Sequence, residues 1–494
     1  RVCVDSGFWS GLFHRVLCDR RSRALMPLVL VSILLPIVAG ALLVLLPRGD
    51  RVLSRAIGTV VAAITFGTVL AAGTGEWSVR WLSRPFESAF HFGATPISYW
   101  IALLLALCTA CAVAACRVER TRDFVALLLA LEGTMLGLFL ARDLLVFALF
   151  WDLMLVPVFF ALIGWGEHPA TAWRYFIFNF AGGLTLLLAT AAFGIIYGST
   201  DVIGREGAPL AGGWAPWIYA GFAFAFLVKT PVWPLHTWMP ATYSGLPSPM
   251  VSVVSGVQSK AGLYGFLVIA TALLPAYVHQ YATPLMVLGG ISLIYGAVVA
   301  LTQNDAKRIV AYSSLSHLGL IVIAIASANP LALDGALVYI VAHGLFSAAL
   351  FLLLGYVEER EGTRALPRLG GLAWMNPRLG GALCIAALAA LGLPGLAGFA
   401  GELLILIGVY QAGYIWPVIV ALVAIVLASA YMLRLYQNIM NGPQREDLPI
   451  RPDLTWLEGL AVAPLLAALL LVGVFPKPLL NNAAITSVQS GTLP

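Results

Sequence analysis

Apolar runs of about 17 to 25 residues recur along this sequence, and a run of that length is what a helix needs to cross the hydrocarbon of a bilayer. Helices are the spanning structures that fit, because the strands of a membrane barrel are shorter and alternate between apolar and polar. Of the 494 residues, 61% are hydrophobic and 10% charged, where soluble domains carry roughly a quarter charged residues. No window reads as an independently folding soluble domain. The runs, from 27–47 at one end to 456–475 at the other, predict an all-α polytopic membrane protein with about fourteen spanning helices.

Within these runs the stretch from Gly221 to Gly265, GFAFAFLVKTPVWPLHTWMPATYSGLPSPMVSVVSGVQSKAGLYG, is the most informative. Lys229 and Lys260 fall inside apolar sequence, where an ammonium costs at least about 2.5 kcal/mol unless it is paired or wetted. Pro231 and Pro234 interrupt the hydrogen-bond ladder just beyond Lys229. They predict a broken helix with free backbone carbonyls and room for water beside the charge, suited to lining a proton path. The run over 379–409 has a matching interruption, LGLPGLAGFAGELL, with Pro394, clustered glycines and an acid, Glu402. Paired interrupted helices in the two halves of a chain point to an internal duplication with a transport site between the repeats. An odd number of spans per unit makes the copies inverted.

Asp152, in ARDLLVFALFWDLMLVPVFFALIGW, sits about ten residues beyond the membrane-edge pair Arg142-Asp143, near mid-depth at about 1.5 Å per residue. A carboxylate there requires a partner, and Lys229 is the candidate. In one reading a small helix movement separates the two and releases a proton; in the other the pair is static and fixes helix packing. Lys260 has no acid in its own helix and is either a proton station or satisfied by hydroxyls such as those of Ser255 and Ser259. Glu402 follows directly on a glycine-rich break, where free amides and water can stabilise either protonation state. His236, His317 and His343 lie in or beside spans. An imidazole titrating near neutrality suits a relay, and a neutral histidine bonded to a carbonyl or hydroxyl reads identically. Glu132, in LLLALEGTMLGLFLARD, is a further intramembrane acid, either an entry or coupling acid or a static group of the core. His14, His91, His168 and His279 read as ordinary loop residues at the surface, and Asp305 to Arg308 as an interfacial anchor. Trp214, Trp217, Trp233, Trp238 and Tyr243 form either a ligand cage or, more commonly for such residues, an interfacial belt and packing.

The sequence contains no phosphate-binding loop, no GxGxxG after a strand and no paired CxxC cluster, so it offers no visible means of binding ATP, NADH, flavin or an iron–sulfur cluster. Cys108 and Cys111 read as small core residues of an apolar span. The net charge of +5 is spread among short loops rather than gathered on a nucleic-acid-binding face. Its distribution speaks to orientation. Most loop cations, among them Arg48, Arg117, Arg120, Lys307, Arg364, Arg378, Arg445 and Arg451, fall on one side, and only Arg80, Arg84, Arg142, Arg205 and Lys477 on the other. The positive-inside rule sets the first group in the cytoplasm. Residues 1–25, Arg-rich and preceding Met26, read as a doubtful N-terminal extension.

The motifs ARDLLVFALFWDLMLVP, FLVKTPVWPLHTWMP, SKAGLYGF, IYGAVVALTQNDAKRIVAYSSLSHLG, AHGLFSAALFLLLG and LGLPGLAGFAGELLIL together resemble chain M (subunit 4) of the proton-translocating NADH:quinone oxidoreductase, respiratory complex I, and more widely its antiporter-like membrane subunits. The resemblance implies two inverted five-helix repeats: N-terminal helices over 26–122, repeats over 123–274 and 283–441, and a C-terminal helix and tail over 442–494. It implies a proton path through Asp152, Lys229, Lys260 and Glu402, with His236, His317 and His343 on the polar axis. It also implies location in the prokaryotic plasma membrane and partnership with other membrane subunits, including sister antiporter-like chains. NADH, FMN, iron–sulfur clusters and quinone are expected in those partners and no cofactor in this chain. Two positions depart from the family pattern: Asp152 stands where glutamate is usual, and Ala241 follows Pro240 where aspartate is usual. These keep open a membrane hydrogenase subunit, a subunit of a multisubunit sodium/proton antiporter, or a non-transporting scaffold.

Overall fold

The computed structural model describes residues 8–45, 47, 50–73, 75–203, 210, 212–442 and 452–480, with side chains from residue 27 onward. Arg48, Arg205, Arg445 and Arg451 of the predicted charge pattern, residues 1–7, the side chains of 8–26 and residues 481–494 of the predicted tail lie outside the described residues.

The chain opens with α1 (Phe8–Leu45), continuous through Met26, and α2 (Arg51–Ala72), capped by Asp50. It then leaves the apolar layer for an antiparallel hairpin, β1 (Glu76–Leu82) and β2 (Ser88–Gly93), with Glu76 opposite Gly93 and Leu82 opposite Ser88. The all-α expectation holds for the membrane segments, and this hairpin is the exception. Next come α3 (Pro96–Ala114), started by a Thr95/Ser98 capping box, α4 (Thr121–Leu140), α5 (Leu144–Leu153), α6 (Leu155–Trp165), α7 (Pro169–Tyr197) and α8 (Ala215–Lys229). A 3₁₀ turn, Leu235–Trp238, leads through α9 (Met239–Gly245) to α10 (Ser248–Val253), α11 (Lys260–Tyr264) and α12 (Thr271–Leu273). The last three make one span whose α segments alternate with π segments at Val254–Gln258 and Gly265–Ala270.

After α13 (Pro275–Gln280) follow α14 (Ala282–Thr302), α15 (Ala306–Ala326) and α16 (Pro330–Glu361). The chain ends with α17 (Leu372–Met375), α18 (Pro377–Ala390), α19 (Ala397–Gln411), α20 (Ile415–Met440), α21 (Trp456–Val474) and α22 (Lys477–Leu480). Among the described residues twelve helices are long and apolar enough to cross a membrane, and α8, α18 and α19 are shorter apolar helices. The predicted breaks are both present. α8 stops at Lys229, and α18 and α19 are separated by Leu391–Leu396.

The spans sort into an enclosed centre and an outer ring. Ser248–Leu273 and Pro330–Glu361 are 100% buried over their apolar windows, whereas α2 and α21 are 28% buried. A helix apolar all round belongs inside a bundle, and one with half its surface open faces lipid or a neighbouring chain. Close approach inside the centre comes from glycine. A Cβ on Gly289 would lie 2.8 Å from the Gly319 carbonyl, which ties α14 to α15, and a Cβ on Gly401 would lie 2.7 Å from the Tyr339 Cβ, which ties α19 to α16.

The charges sort onto two faces, as the sequence pattern implies. One face holds Arg117–Glu458 (2.9 Å), Arg360–Glu458 (2.8 Å), Lys307–Glu358 (2.6 Å), Arg364–Glu167 (2.6 Å) and Arg364–Asp305 (2.5 Å). Burial works against the Arg364 charge, yet Glu167 and Asp305 outweigh it and raise its pKa. Asp305 also caps α15, accepting from Arg308 N at 3.0 Å, so this segment is an ion-paired helix start as well as an anchor. On the other face Arg142 meets Glu76 at 3.3 Å. His91, expected as an ordinary surface residue, is instead buried on β2 with Nδ1 2.6 Å from Asp201. The hairpin, absent from the helical reading, is what buries it.

Asp143 pins this second face. Fully buried, it caps α5 through Leu145 N (2.8 Å) and Val146 N (3.2 Å) and also accepts from Ser88 Oγ, Ala89 N and Thr200 Oγ1 at 2.9–3.1 Å. An Asp143→Ala substitution removes the cap and orphans buried donors, an expected loss of about 2–4 kcal/mol. The check is a lowered thermal midpoint together with faster amide exchange in β1 and β2.

Candidate functional site

Lys229 is the last residue of α8, where the negative end of the helix dipole favours a cation. The break beyond it is more closed than its prolines suggest. The Phe226 carbonyl accepts from Thr230 N, that of Leu227 from Val232 N, and that of Val228 from Trp238 Nε1 at 3.0 Å. These carbonyls, expected free, are satisfied because the chain folds back and brings a tryptophan with it. Lys229 Nζ makes no hydrogen bond to protein and lies 5.1 Å from the centre of the Trp151 ring, a cation–π contact.

Asp152 follows Trp151 at the hinge between α5 and α6 and faces Gly183 of α7, where a Cβ would overlap its carboxyl oxygen. No ion pair within 4.0 Å joins Asp152 to Lys229 among the described residues, and Asp152 Oδ1 has no hydrogen-bond partner. The expected contact pair is therefore an open one.

Lys260 is fully buried and donates to the Ser255 carbonyl and, at 3.3 Å, to Ser259 Oγ. The Ser255 carbonyl belongs to the π segment Val254–Gln258, where the widened turn loosens the α ladder. Gln258 of the same segment donates to the Met154 carbonyl at the α5–α6 hinge (3.2 Å) and to the Tyr175 hydroxyl (2.9 Å), linking the surroundings of Asp152 to those of Lys260. On the far side the Ser255 hydroxyl meets Ser347 Oγ of α16 at 2.7 Å and Ser314 Oγ of α15 at 3.4 Å.

One helical turn from each of those serines stands a histidine. His317 and His343 rings lie 5.7 Å apart, centroid to centroid. His317 Nδ1 is 2.5 Å from the Tyr339 hydroxyl, which donates to Glu402 Oε1 at 2.6 Å, and His317 Nε2 is 3.3 Å from the Tyr431 hydroxyl. Glu402 stands in the second turn of α19, against Gly392 of the break. All of these side chains are buried. The result is a file of acid–base groups and hydroxyls running from Asp152 and Lys229 through Lys260 to Glu402.

The profile of a membrane family described as NADH:quinone oxidoreductase/Mrp antiporter matches residues 141–428, which contain this whole file except Tyr431. The chain belongs to this family. It is 33% identical over 374 residues to NADH-quinone oxidoreductase subunit M of Rhodobacter capsulatus, covering 72% of this chain and 73% of that protein. A chain of respiratory complex I from Thermus thermophilus superposes with a TM-score of 0.85 at 33% identity, over 94% of this chain and 100% of that one. A chain of the Mrp complex from a Dietzia species gives 0.84 at 22% identity, over 95% and 98%, a likeness that bears on the fold alone.

Against this antiporter-like frame the remaining expected residues stand apart from the file. His236 is buried in the 3₁₀ turn, edge-on to Tyr295 with ring centroids 5.1 Å apart, and its Nδ1 has no partner. Glu132, on α4, is fully buried, and neither carboxyl oxygen meets a protein donor. His343 reaches the file by ring proximity, without a hydrogen bond to either nitrogen. Of the aromatic residues near the break, Trp214 and Trp217 are exposed and Trp238 and Tyr243 are core, so they form belt and packing rather than a cage. Tyr339, Tyr431, Gln258, Ser314 and Ser347 were not expected. Tyr339 had a signal, four residues before His343 and so on the same helix face.

The open Asp152–Lys229 geometry is directly testable. One added methylene moves a carboxylate by about 1.3–1.5 Å. Asp152→Glu is expected to bring the carboxylate within ion-pair reach of Lys229 Nζ in an electron cryomicroscopy structure of the variant. Gly183→Ala is expected to turn Asp152 away from its present seat.

Proposed function

We propose that this chain is a proton-translocating, redox-inert membrane subunit of an NADH:quinone oxidoreductase of the complex I type, held in the prokaryotic plasma membrane. The observation that carries the reading is the file from half-buried Asp152 and buried Lys229 through Lys260 to Glu402, composed of groups that exchange protons and set on interrupted helices. Protons are taken up from the cytoplasmic face, the one rich in ion pairs, load Lys229 and Lys260, pass His317 and Glu402, and leave outside. His236, His343 and Glu132 serve as flanking stations for uptake or coupling. NADH, FMN, iron–sulfur clusters and quinone belong to partner subunits, and quinone reduction there drives the cycle through sister antiporter-like chains. α8 with its following turn, and α18 with α19, count as one interrupted crossing each. That count brings the spans to about fourteen and fits two inverted repeats over 123–274 and 283–441.

The test uses the assembled complex in proteoliposomes. Lys229→Ala and Glu402→Ala are each expected to reduce coupled proton pumping at least about tenfold, the effect of about 1.4 kcal/mol on a rate-limiting step, with assembly unchanged. Normal pumping in well-assembled variants points to a static scaffold. A second reading, a subunit of a sodium/proton antiporter, is favoured by the breadth of the matching family, which includes Mrp antiporters. Flavin and iron–sulfur absorbance in the purified assembly decides between them: its presence supports the oxidoreductase and its absence the antiporter.

A further inference from the structure

We propose that the phenol of Tyr339 is the proton-transfer link between His317 and Glu402, and that Tyr431 holds His317 in the tautomer this transfer needs. The proposal rests on the pumping reading above and adds residues that neither sequence motif nor family pattern singled out.

A phenol has one proton to give and lone pairs to receive with. With Glu402 ionised, the Tyr339 proton is committed to Glu402 Oε1 at 2.6 Å, so in the 2.5 Å contact with His317 Nδ1 the ring nitrogen is the donor. A neutral imidazole protonated at Nδ1 presents a lone pair at Nε2, and the Tyr431 hydroxyl stands there at 3.3 Å to donate to it. One arrangement of protons thus satisfies every contact: Tyr431 to His317, His317 to Tyr339, Tyr339 to Glu402. The four side chains come from α20, α15, α16 and α19 and are buried. No hydrogen bond joins His317 directly to Glu402 among the described residues.

The transfer balances without an oxidant. A proton that reaches His317 Nε2, the Tyr431 hydroxyl turning aside to free the lone pair, makes an imidazolium. The Nδ1–H bond then breaks as its proton bonds to the Tyr339 oxygen, while the original Tyr339 O–H bond breaks and that proton bonds to Glu402 Oε1. The imidazolium becomes a neutral imidazole, the carboxylate becomes a carboxylic acid, and Tyr339 is unchanged. The starting order returns when Glu402 releases its proton outward, the Tyr339 hydroxyl rotates back to the carboxylate, and the imidazole loses the proton at Nε2 and regains one at Nδ1. The backbone holds the phenol in line. Gly401 lets α19 lie directly on the Tyr339 backbone, a Cβ there falling 2.8 Å from Tyr339 N, and the next residue, Glu402, then addresses the phenol.

The experiment compares Tyr339→Phe, Tyr431→Phe and Glu402→Gln in the assembled complex, reading protons pumped per electron pair and the infrared carboxyl band that Glu402→Gln removes. Tyr339→Phe is expected to assemble, to pump no better than Glu402→Gln, and to shift the Glu402 band as its phenol bond is lost. Tyr431→Phe is expected to fall between that variant and the wild type. Wild-type pumping in Tyr339→Phe alongside loss in Glu402→Gln overturns the relay and leaves the pumping reading standing. Wild-type pumping in Glu402→Gln overturns the pumping reading itself. Should Tyr339→Phe fail to assemble, ring-labelled tyrosine in the wild-type complex decides: a tyrosine C–O band that shifts on turnover together with the Glu402 band supports the relay, and one that stays fixed overturns it.

Discussion

An ammonium enclosed in a membrane protein has three donors to satisfy, and the fold must place their acceptors before the helix that carries it can pack. The chain meets this demand in two ways. Lys260 is served by its own span, which gives up regular α geometry over Val254–Gln258 so that the Ser255 carbonyl and Ser259 hydroxyl turn towards it. Lys229 is served by position, at the negative end of α8 and over the Trp151 face. The first solution leaves the ammonium bonded and the second leaves it without a hydrogen bond to protein. Both exact a regular helix, because a charge at mid-membrane costs several kcal/mol and the ladder around it is the nearest source of polar partners.

Serving the lysine also recruits the next polar groups. Ser255, whose carbonyl serves Lys260, carries a hydroxyl that is itself buried, and a buried hydroxyl needs partners. It finds them in Ser314 and Ser347, on the helices that carry His317 and His343 one turn away. The contact with α16 is close because glycine faces glycine there: a Cβ on Gly344 would lie 2.7 Å from the Gly256 carbonyl. Around Lys260 the π turn, the hydroxyls and the close helix contact thus answer one requirement, that buried polar groups find partners.

Much of this was legible in the sequence because lipid makes charges conspicuous. Lys229, Lys260, Asp152 and Glu402 stand out from apolar neighbours, and Pro231, Pro234 and Pro394 mark the breaks beside them. What was not legible depends on tertiary donors or on geometry without a residue signature. Closure of the Val228 carbonyl by Trp238 needs the chain to fold back. A π turn places bonds five residues apart and leaves no periodic pattern to read. The β1–β2 hairpin is short and too polar for a span, so its burial of His91 against Asp201 was hidden. Tyr431 sits in an apolar helix like any core aromatic, and only the approach of His317 gives its hydroxyl a role.

The gap between Asp152 and Lys229 is where structure and energetics meet most closely. Two unit charges 4 Å apart interact by about 4 kcal/mol at an effective dielectric constant near 20, and the interaction falls with distance. With no contact within 4.0 Å, theirs lies below that figure. Moving one charge against the membrane potential takes about 2.3 kcal/mol per 100 mV. In the proposed pumping cycle a helix movement that narrows the gap strengthens the hold of Lys229 on its proton, and one that widens it weakens that hold. A tight ion pair would hold its proton too firmly for such a movement to matter, and groups much farther apart would not feel one another.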